Sequence, residues 1–494
     1  MDSRRNVRLS QIVRRLDRLG LLAGPAALSS DPVCTGATDD SRHVRPGDLF
    51  CAVRGTRDDG HRYLKAAAAA GAVAALVEAV DPSFALPQVL VRDSRRATAH
   101  AAQVVFGDPG EGLTLIGVTG TNGKTTTVQL TRHLCSAREP AGSIGTLGVG
   151  TPDGGFAATG LTTPGPVEFT AAVASLREAG ARTIAAEVSS HALRQSRVDG
   201  FVFDAAVFTN LTQDHLDYHA DTEDYVRSKL RLATLVRDEG ALVVNADDPA
   251  WAPLREAPRR VETFGLRAKA RWRAEDVQLL PNGSRFRLHA PADEVPVELP
   301  LVGEFNVANA LAAAAAAGAL GLDVRTIADR LAHAPSVPGR LERLAETPVL
   351  VLRDYAHTPD AIARALAAVR PLTAGRLILV FGAGGDRDRA KRPAMGLAAA
   401  QGADHCIVTS DNPRTEDPES IVREIVAGIP AGTSCEAVVD RRAAIARSLE
   451  QARPGDLVLL AGKGHETTQV VGTRVLPFDE REIVRELLEG RGKA

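Results

Sequence analysis

The chain has 494 residues, 44% of them hydrophobic, enough for two to four domains that each carry a core. Lys+Arg 59 against Asp+Glu 61 leaves a net charge of -2, so the composition calls for no nucleic-acid or anionic-membrane partner. Five cysteines, at 34, 51, 135, 406 and 435, lie scattered without a Cys-x-x-Cys pair, which argues against a disulfide framework or a zinc site and for a reducing compartment.

At the N-terminus Ser3-Arg4-Arg5 loosely imitates a twin-arginine export signal, but Arg14, Arg15, Asp17 and Arg18 break the apolar stretch that such a signal needs. Val7, Ile12, Val13, Leu16 and Leu19 recur instead at helical spacing, predicting an amphipathic helix. No run approaches eighteen apolar residues, so a cytoplasmic, globular α/β protein without a membrane span is expected. Pro46-Gly47-Asp48 marks a turn before a strand at Leu49–Val53. A helix over 64–79 and a strand at 88–92 complete a small α/β domain spanning 1–106. Ser41 and Arg42 in this domain read, by themselves, as a surface loop.

Asp108-Pro109-Gly110 opens a central domain, 107–336. Leu113, Leu115, Ile116 and Val118 predict a buried strand, and Val128, Leu130 and Leu134 predict the inward face of a helix. Between them stand Gly120, Thr121, Asn122, Gly123, Lys124, Thr125 and Thr126. Strand, glycine loop, Lys-Thr and helix form a phosphate-binding arrangement: backbone N–H groups and the helix N-terminus receive phosphates, the lysine adds a charge, and the Thr125 hydroxyl reaches Mg²⁺. ATP or GTP is the implied ligand. One departure stands out, because the usual first glycine, five residues before Gly123, is Val118. Further strands run into Glu187-Val-Ser-Ser-His, into Thr209-Asn-Leu-Thr-Gln-Asp-His215, and into Asn245-Ala-Asp-Asp. Ligands collect beyond the carboxyl ends of parallel strands, so Glu187 and His215 are candidate metal ligands beside the loop. A packed helix at Asn309–Leu320 precedes the second boundary at Pro335–Gly339.

The third segment, 337–494, alternates strands with helices and predicts a Rossmann-like, doubly wound domain. Its strands run into Asp354-Tyr-Ala-His357, Gly382-Ala-Gly-Gly-Asp-Arg387, Thr409-Ser-Asp-Asn-Pro-Arg414 and Ala461-Gly-Lys-Gly-His-Glu466. Asp386-Arg387 stands where a dinucleotide fingerprint needs its last glycine, so an NAD site is not expected. Charges of both signs at four strand ends suit a zwitterionic small molecule, with Arg387 and Arg414 for carboxylates and Asp411 and Glu466 for an ammonium.

Gly120-Thr-Asn-Gly-Lys-Thr-Thr, Glu187-Val-Ser-Ser-His, Thr209 to His219, Asp354-Tyr-Ala-His and Gly462-Lys-Gly-His-Glu together resemble the Mur ligases over nearly the whole chain. The resemblance implies a UDP-sugar domain, a central P-loop ATPase with a parallel-rich sheet, and a C-terminal amino-acid domain. It places Ser41 and Arg42 at the uridine site, and Thr162, Thr163, Ser189, Gln195 and Arg197 on the sugar–peptide substrate. Lys229 falls where members carry a carbamylated lysine that, with Thr125, Glu187 and His215, positions Mg²⁺. Asn306, Arg340 and His357 match positions that face the nucleotide across the domain junction. The usual Leu-Phe after the lysine is Leu232-Ala233 here, and Asp40 replaces a common apolar residue.

Members that add diaminopimelate resemble the Asp411-Asn412-Pro413-Arg414 sequence, whereas lysine-adding members lack the arginine. An arginine binds the second carboxylate of diaminopimelate bidentately and repels the ammonium of lysine. Arg387, Gly462 and Glu466 would help to hold the amino acid. The implied reaction joins diaminopimelate to UDP-N-acetylmuramoyl-L-alanyl-D-glutamate through an acyl phosphate, with Lys124, Glu187, His215 and Lys229 as its catalytic group, in a monomer that uses ATP and Mg²⁺. The rivals are a paralogous ligase for another amino acid, a folylpolyglutamate synthetase, and an ATP-dependent regulatory protein that makes no amide. The N-terminal Ser-Arg…Pro-Gly-Asp-Leu-Phe unit argues against the second.

Overall fold

The computed structural model describes residues 6–24, 28, 30–55, 58–212 and 218–491. They divide into two units, one of residues 1–275, 288–295 and 308–330, the other of 276–287, 296–307 and 331–494.

In the first unit the N-terminal helix is Leu9–Arg18, with Leu9, Ile12 and Leu16 buried and Leu19 exposed. A four-stranded parallel sheet follows in the order Gly36–Thr38, Asp48–Cys51, Ala74–Val77, Gln88–Leu90. The predicted helix over 64–79 is corrected here. It ends at Ala69, the chain turns at Gly71 with φ +98, and Ala74–Val77 is a strand. All four of its residues are buried, and a continuous apolar run of that length does not separate strand from helix by periodicity.

The central sheet is parallel through Ala141–Gly145, Thr183–Glu187, Thr114–Thr119, Phe203–Phe208, Val236–Asn245 and Arg260–Gly265, in that spatial order. Thr114–Thr119 thus has a neighbour on either side, and Val118 pairs with Glu187 on one strand and Val207 on the other. Val118 is fully buried. This accounts for the missing glycine: the position belongs to the sheet core, and the turn begins at Gly120. The helix Lys124–Cys135 follows, with Val128, Leu130 and Leu134 buried. The helix Ser94–Val105 shares a core with Val167 and Ala174 of the helix Pro166–Glu178.

The second unit carries a six-stranded sheet ordered Glu342–Ala345, Leu350–Asp354, Leu457–Ala461, Leu377–Phe381, His405–Val408, Cys435–Ala437. The first strand is antiparallel and the others parallel. Ile362, Leu366, Met395, Ile421 and Ile425 pack on one face, and Ile445, Leu449, Ile483 and Val484 on the other. This is the doubly wound arrangement expected, and it delivers the loops after Leu350–Asp354, Leu377–Phe381, His405–Val408 and Leu457–Ala461 to one edge of the sheet. No helix among the described residues is long and apolar enough to cross a membrane.

Candidate active site

The phosphate loop is built by glycine geometry and braced from a second loop. Gly120 has φ +146 and Gly123 φ +85, both in the region that side chains avoid. A Cβ at Gly120 would collide with Thr209 Oγ1, and one at Gly123 with Asn309 Oδ1. Asn210 accepts from the Thr121 N–H through its carbonyl at 2.7 Å and from the Asn122 N–H through Oδ1 at 3.0 Å. Thr209 Oγ1 donates to the Asn122 carbonyl at 2.7 Å, and the Thr212 N–H donates to Thr121 Oγ1 at 2.9 Å. Thr209, Asn210, Thr212 and Asn309 therefore shape the loop, although the sequence reading assigned none of them a role. For the first three the signal lay in the Thr209-Asn-Leu-Thr run, read for the family resemblance and for His215. That histidine lies outside the described residues.

Lys124 Nζ donates to the carbonyls of Gly120 at 3.0 Å and Thr121 at 2.9 Å. Lys229 Nζ donates to the same Gly120 carbonyl at 2.8 Å and lies 4.5 Å over the Tyr225 ring. Lys229 is 1% exposed. Two ammonium groups thus share one acceptor at the loop. Thr125 and Thr126 lie in the first turn of the helix and are buried.

The residues expected to grip the sugar–peptide substrate form one connected network with Glu187. Glu187 Oε1 accepts from the Thr146 N–H at 2.8 Å and Oε2 from Thr146 Oγ1 at 3.2 Å. Thr146 Oγ1 also lies 3.2 Å from Thr162 Oγ1. Thr163 Oγ1 donates to the Glu187 carbonyl at 2.8 Å and accepts from the Ser189 N–H at 3.1 Å. Arg197 donates to the Thr163 carbonyl at 2.6 Å and to Gln195 Oε1 at 2.8 Å, and Gln195 reaches Tyr218 Oη at 3.0 Å. Thr146 is a further residue to which the sequence reading assigned no role.

Ser41 and Arg42 sit in a 3₁₀ turn after the first strand of the N-terminal sheet. Asp40 accepts from the Arg42 backbone N–H at 2.9 Å, and its Oδ2 takes the guanidinium at 2.6 Å. That hydrogen bond holds the Asp40 carboxyl at about 2. The departure at Asp40 is thus the cap of the turn and the partner of its arginine. The adjacent Asp39 connects this turn to the substrate network: Arg197 and Glu168 both act on its carboxyl, which burial pushes above the usual range.

In the second unit, Asp411, Asn412, Gly462 and Glu466 converge. Asn412 Nδ2 donates to Glu466 Oε2 at 2.8 Å, and a Cβ at Gly462 would lie 2.5 Å from Asp411 Oδ2. Arg414 has φ +51 and is held by backbone hydrogen bonds to Val470 and Gly472 of the hairpin Thr468–Val471 and Arg474–Pro477. Its Nη1 donates to the Gly385 carbonyl at 2.7 Å. Arg387 is exposed on that same loop: a Cβ at Gly384 would lie 2.9 Å from Arg414 Nη1 and 3.8 Å from Arg387 Cγ. Arg340 and His357 flank Tyr355, with the guanidinium 4.9 Å over its ring and the imidazole 4.6 Å from it. His465 closes the group at 5.3 Å, its imidazole pushed down to about 4 by burial, with Arg340 and Arg353 adding to the effect. Asn306 donates to the Val302 carbonyl at 2.8 Å. Asn309, on the same helix Glu304–Ala319, lies against Gly123.

Comparison with known proteins agrees in all three segments. The descriptions "Mur ligase family, catalytic domain", "Mur ligase middle domain" and "Mur ligase, glutamate ligase domain" match residues 34–105, 118–317 and 339–464. A UDP-N-acetylmuramoyl-L-alanyl-D-glutamate–2,6-diaminopimelate ligase of Gloeobacter violaceus is 46% identical over 92% of this chain and 94% of its own. A solved structure of a ligase with that name is 32% identical, covers 99% of this chain and 100% of its own, and superposes with a TM-score of 0.68. A Mycobacterium tuberculosis folylpolyglutamate synthase, at 21% identity and a TM-score of 0.62, covers 75% of the chain and shares the fold. On motif, geometry and overall similarity, the chain belongs to the Mur ligase family.

Proposed function

We propose that the chain joins diaminopimelate to UDP-N-acetylmuramoyl-L-alanyl-D-glutamate at the expense of ATP. The observation that carries this reading is Arg414. It is half-buried on the loop after His405–Val408 that also carries Asp411 and Asn412, its backbone held by the hairpin and its Nη1 by the Gly385 carbonyl. Such a site suits a ligand end that carries both a carboxylate and an ammonium.

A carboxylate resists attack by an amine until one of its oxygens can leave. The γ-carboxylate of the substrate's D-glutamate attacks the γ-phosphorus of ATP, and ADP departs. The amine of diaminopimelate then attacks the acyl carbon, and phosphate departs as the amide forms. Lys124 serves the first step by exchanging the Gly120 and Thr121 carbonyls for phosphate oxygens, where its charge offsets that of the transferring group. The loop N–H groups and the helix N-terminus hold the remaining phosphates. Thr162, Thr163, Ser189, Gln195 and Arg197 orient the sugar–peptide substrate, Ser41 and Arg42 its uridine end, and Arg340 and His357 the nucleotide. Arg387, Asp411, Asn412, Arg414, Gly462 and Glu466 orient the amino acid.

The donors for Mg²⁺ are the Glu187 carboxylate, whose two oxygens are held by Thr146, and the Thr125 hydroxyl, with His215 joining them. Lys229 fits the set only as a carbamate, since an ammonium repels a cation. Carbamylation would also relieve the crowding of two cations on the Gly120 carbonyl. When bound, Mg²⁺ supplies charge neutralisation at the phosphates. The test is phosphate release by the purified protein with ATP, Mg²⁺ and the UDP-dipeptide, with meso-diaminopimelate, LL-diaminopimelate or L-lysine added. Release with a diaminopimelate and a product of matching mass is expected. Release with lysine alone would make the chain a ligase of another specificity, and release independent of any amino acid would remove the ligase.

A further inference from the structure

Asn412 and Glu466 belong to the amino-acid site, yet most of their hydrogen-bonding capacity is spent inside the protein. Asn412 Oδ1 accepts from Lys463 Nζ at 3.2 Å and from the Val470 N–H at 2.9 Å. Its Nδ2 donates to Glu466 Oε2 at 2.8 Å, and the same Oε2 accepts from Lys463 Nζ at 3.2 Å. A side-chain amide has two acceptor positions and two donor hydrogens, so Asn412 keeps a single N–H for any ligand. Among the described residues Glu466 Oε1 takes no hydrogen bond, and Glu466 is one-third exposed whereas the Lys463 side chain is 0% exposed. The carboxylate is clamped by one oxygen and offers the other.

Charge adds to the geometry. The loops carry three cations, Arg387, Arg414 and Lys463, among the acids Asp354, Asp386, Asp411 and Glu466. A ligand end with a carboxylate beside its ammonium can pair with both signs, whereas a bare ammonium meets the cations unpaired. Without Lys463 one of these cations is lost and the discrimination against a bare ammonium weakens. We propose that Lys463 is a positioning residue for amino-acid selection. It fixes Asn412 and Glu466 so that Oε1 meets the ammonium of diaminopimelate, and it keeps the site unattractive to lysine. This inference rests on the functional reading given above.

The test is steady-state kinetics of the full chain with each substrate varied in turn, for wild type, Lys463→Met, Glu466→Gln and the double variant. Lys463→Met is expected to raise KM for diaminopimelate about tenfold, the size of one lost charge-assisted contact, while KM for ATP and for the UDP-dipeptide stays within about twofold. The preference for diaminopimelate over lysine should narrow by about the same factor. Because Lys463 acts through Glu466, the double variant should be little worse than Glu466→Gln alone. Should Lys463→Met not fold, Lys463→Gln, which removes the charge but keeps a polar side chain, carries the same comparison. Equal losses for all three substrates, additive effects or an unchanged preference would overturn the inference alone. A wild-type chain that ligates no diaminopimelate would overturn the functional reading and this inference with it.

Discussion

On the assignments proposed above, the phosphate loop and the amino-acid loops solve recognition in opposite ways. At Gly120–Thr126 the ligand-binding groups are backbone N–H groups and one lysine within seven consecutive residues, and the glycines are fixed by φ and by collisions with Thr209 and Asn309. At the amino-acid site the binding groups are residues from three loops, set by other side chains and by a hairpin more than fifty residues beyond Asn412 and Arg414 in sequence. A backbone site serves any nucleoside triphosphate. A side-chain site is what distinguishes two similar amino acids, and it fails by degrees.

The contrast is tested most severely at Lys124. Lys124→Ala should lower ligation by about a thousandfold or more, by removal of a charge that acts on the transferring phosphoryl group, while the circular dichroism spectrum is retained. Gly120→Val should come close to it, because a side chain there meets both a positive φ and Thr209 Oγ1; loss of ATP binding by calorimetry is the readout. The amino-acid site should give way selectively. Arg414→Ala is expected to cost about a hundredfold in kcat/KM for diaminopimelate, about 3 kcal/mol, with KM for ATP unchanged.

A smaller effect separates scaffold from site. Arg392, fully buried, bridges Glu416 and Glu424, and Glu416 Oε1 accepts from the Asp386 N–H beside Arg387. The Arg392 hydrogen bond holds the Glu416 carboxyl at about 2, below its ordinary 4.5. Its contribution to stability is therefore complete above pH 4.5 and is lost as pH falls toward 2. Glu416→Gln should lower stability at pH 7 by about 1–2 kcal/mol and flatten this acid limb in thermal melts. Least of all, Arg42→Ala should leave the melting temperature unmoved, since its pair with Asp40 is solvent-exposed, and should raise KM for the UDP-dipeptide alone.

The same contrast explains what the sequence disclosed. The strand–loop–helix around Gly120 and the strand ends at Glu187, Asp411 and Glu466 were legible because strand periodicity and glycine spacing are local properties. The helix wrongly extended over Ala74–Val77 failed because alanine-rich runs suit either state and only Gly71 breaks this one. Thr146, Asn309 and Lys463 were not legible as supports, because their partners lie across the sheet or far along the chain. Nothing in a Lys-Gly-His-Glu run shows that the lysine turns inward to its own glutamate.

The central claim is that Arg414 reads a second carboxylate. The measurement that tests it most directly is a one-pot competition, with diaminopimelate and lysine at equal concentration, ATP, Mg²⁺ and the UDP-dipeptide, and the products resolved by mass. Wild type should yield the diaminopimelate product almost alone, and Arg414→Ala should lower the product ratio by about a hundredfold. A ratio unchanged by the substitution, or a wild type that prefers lysine, would contradict the account.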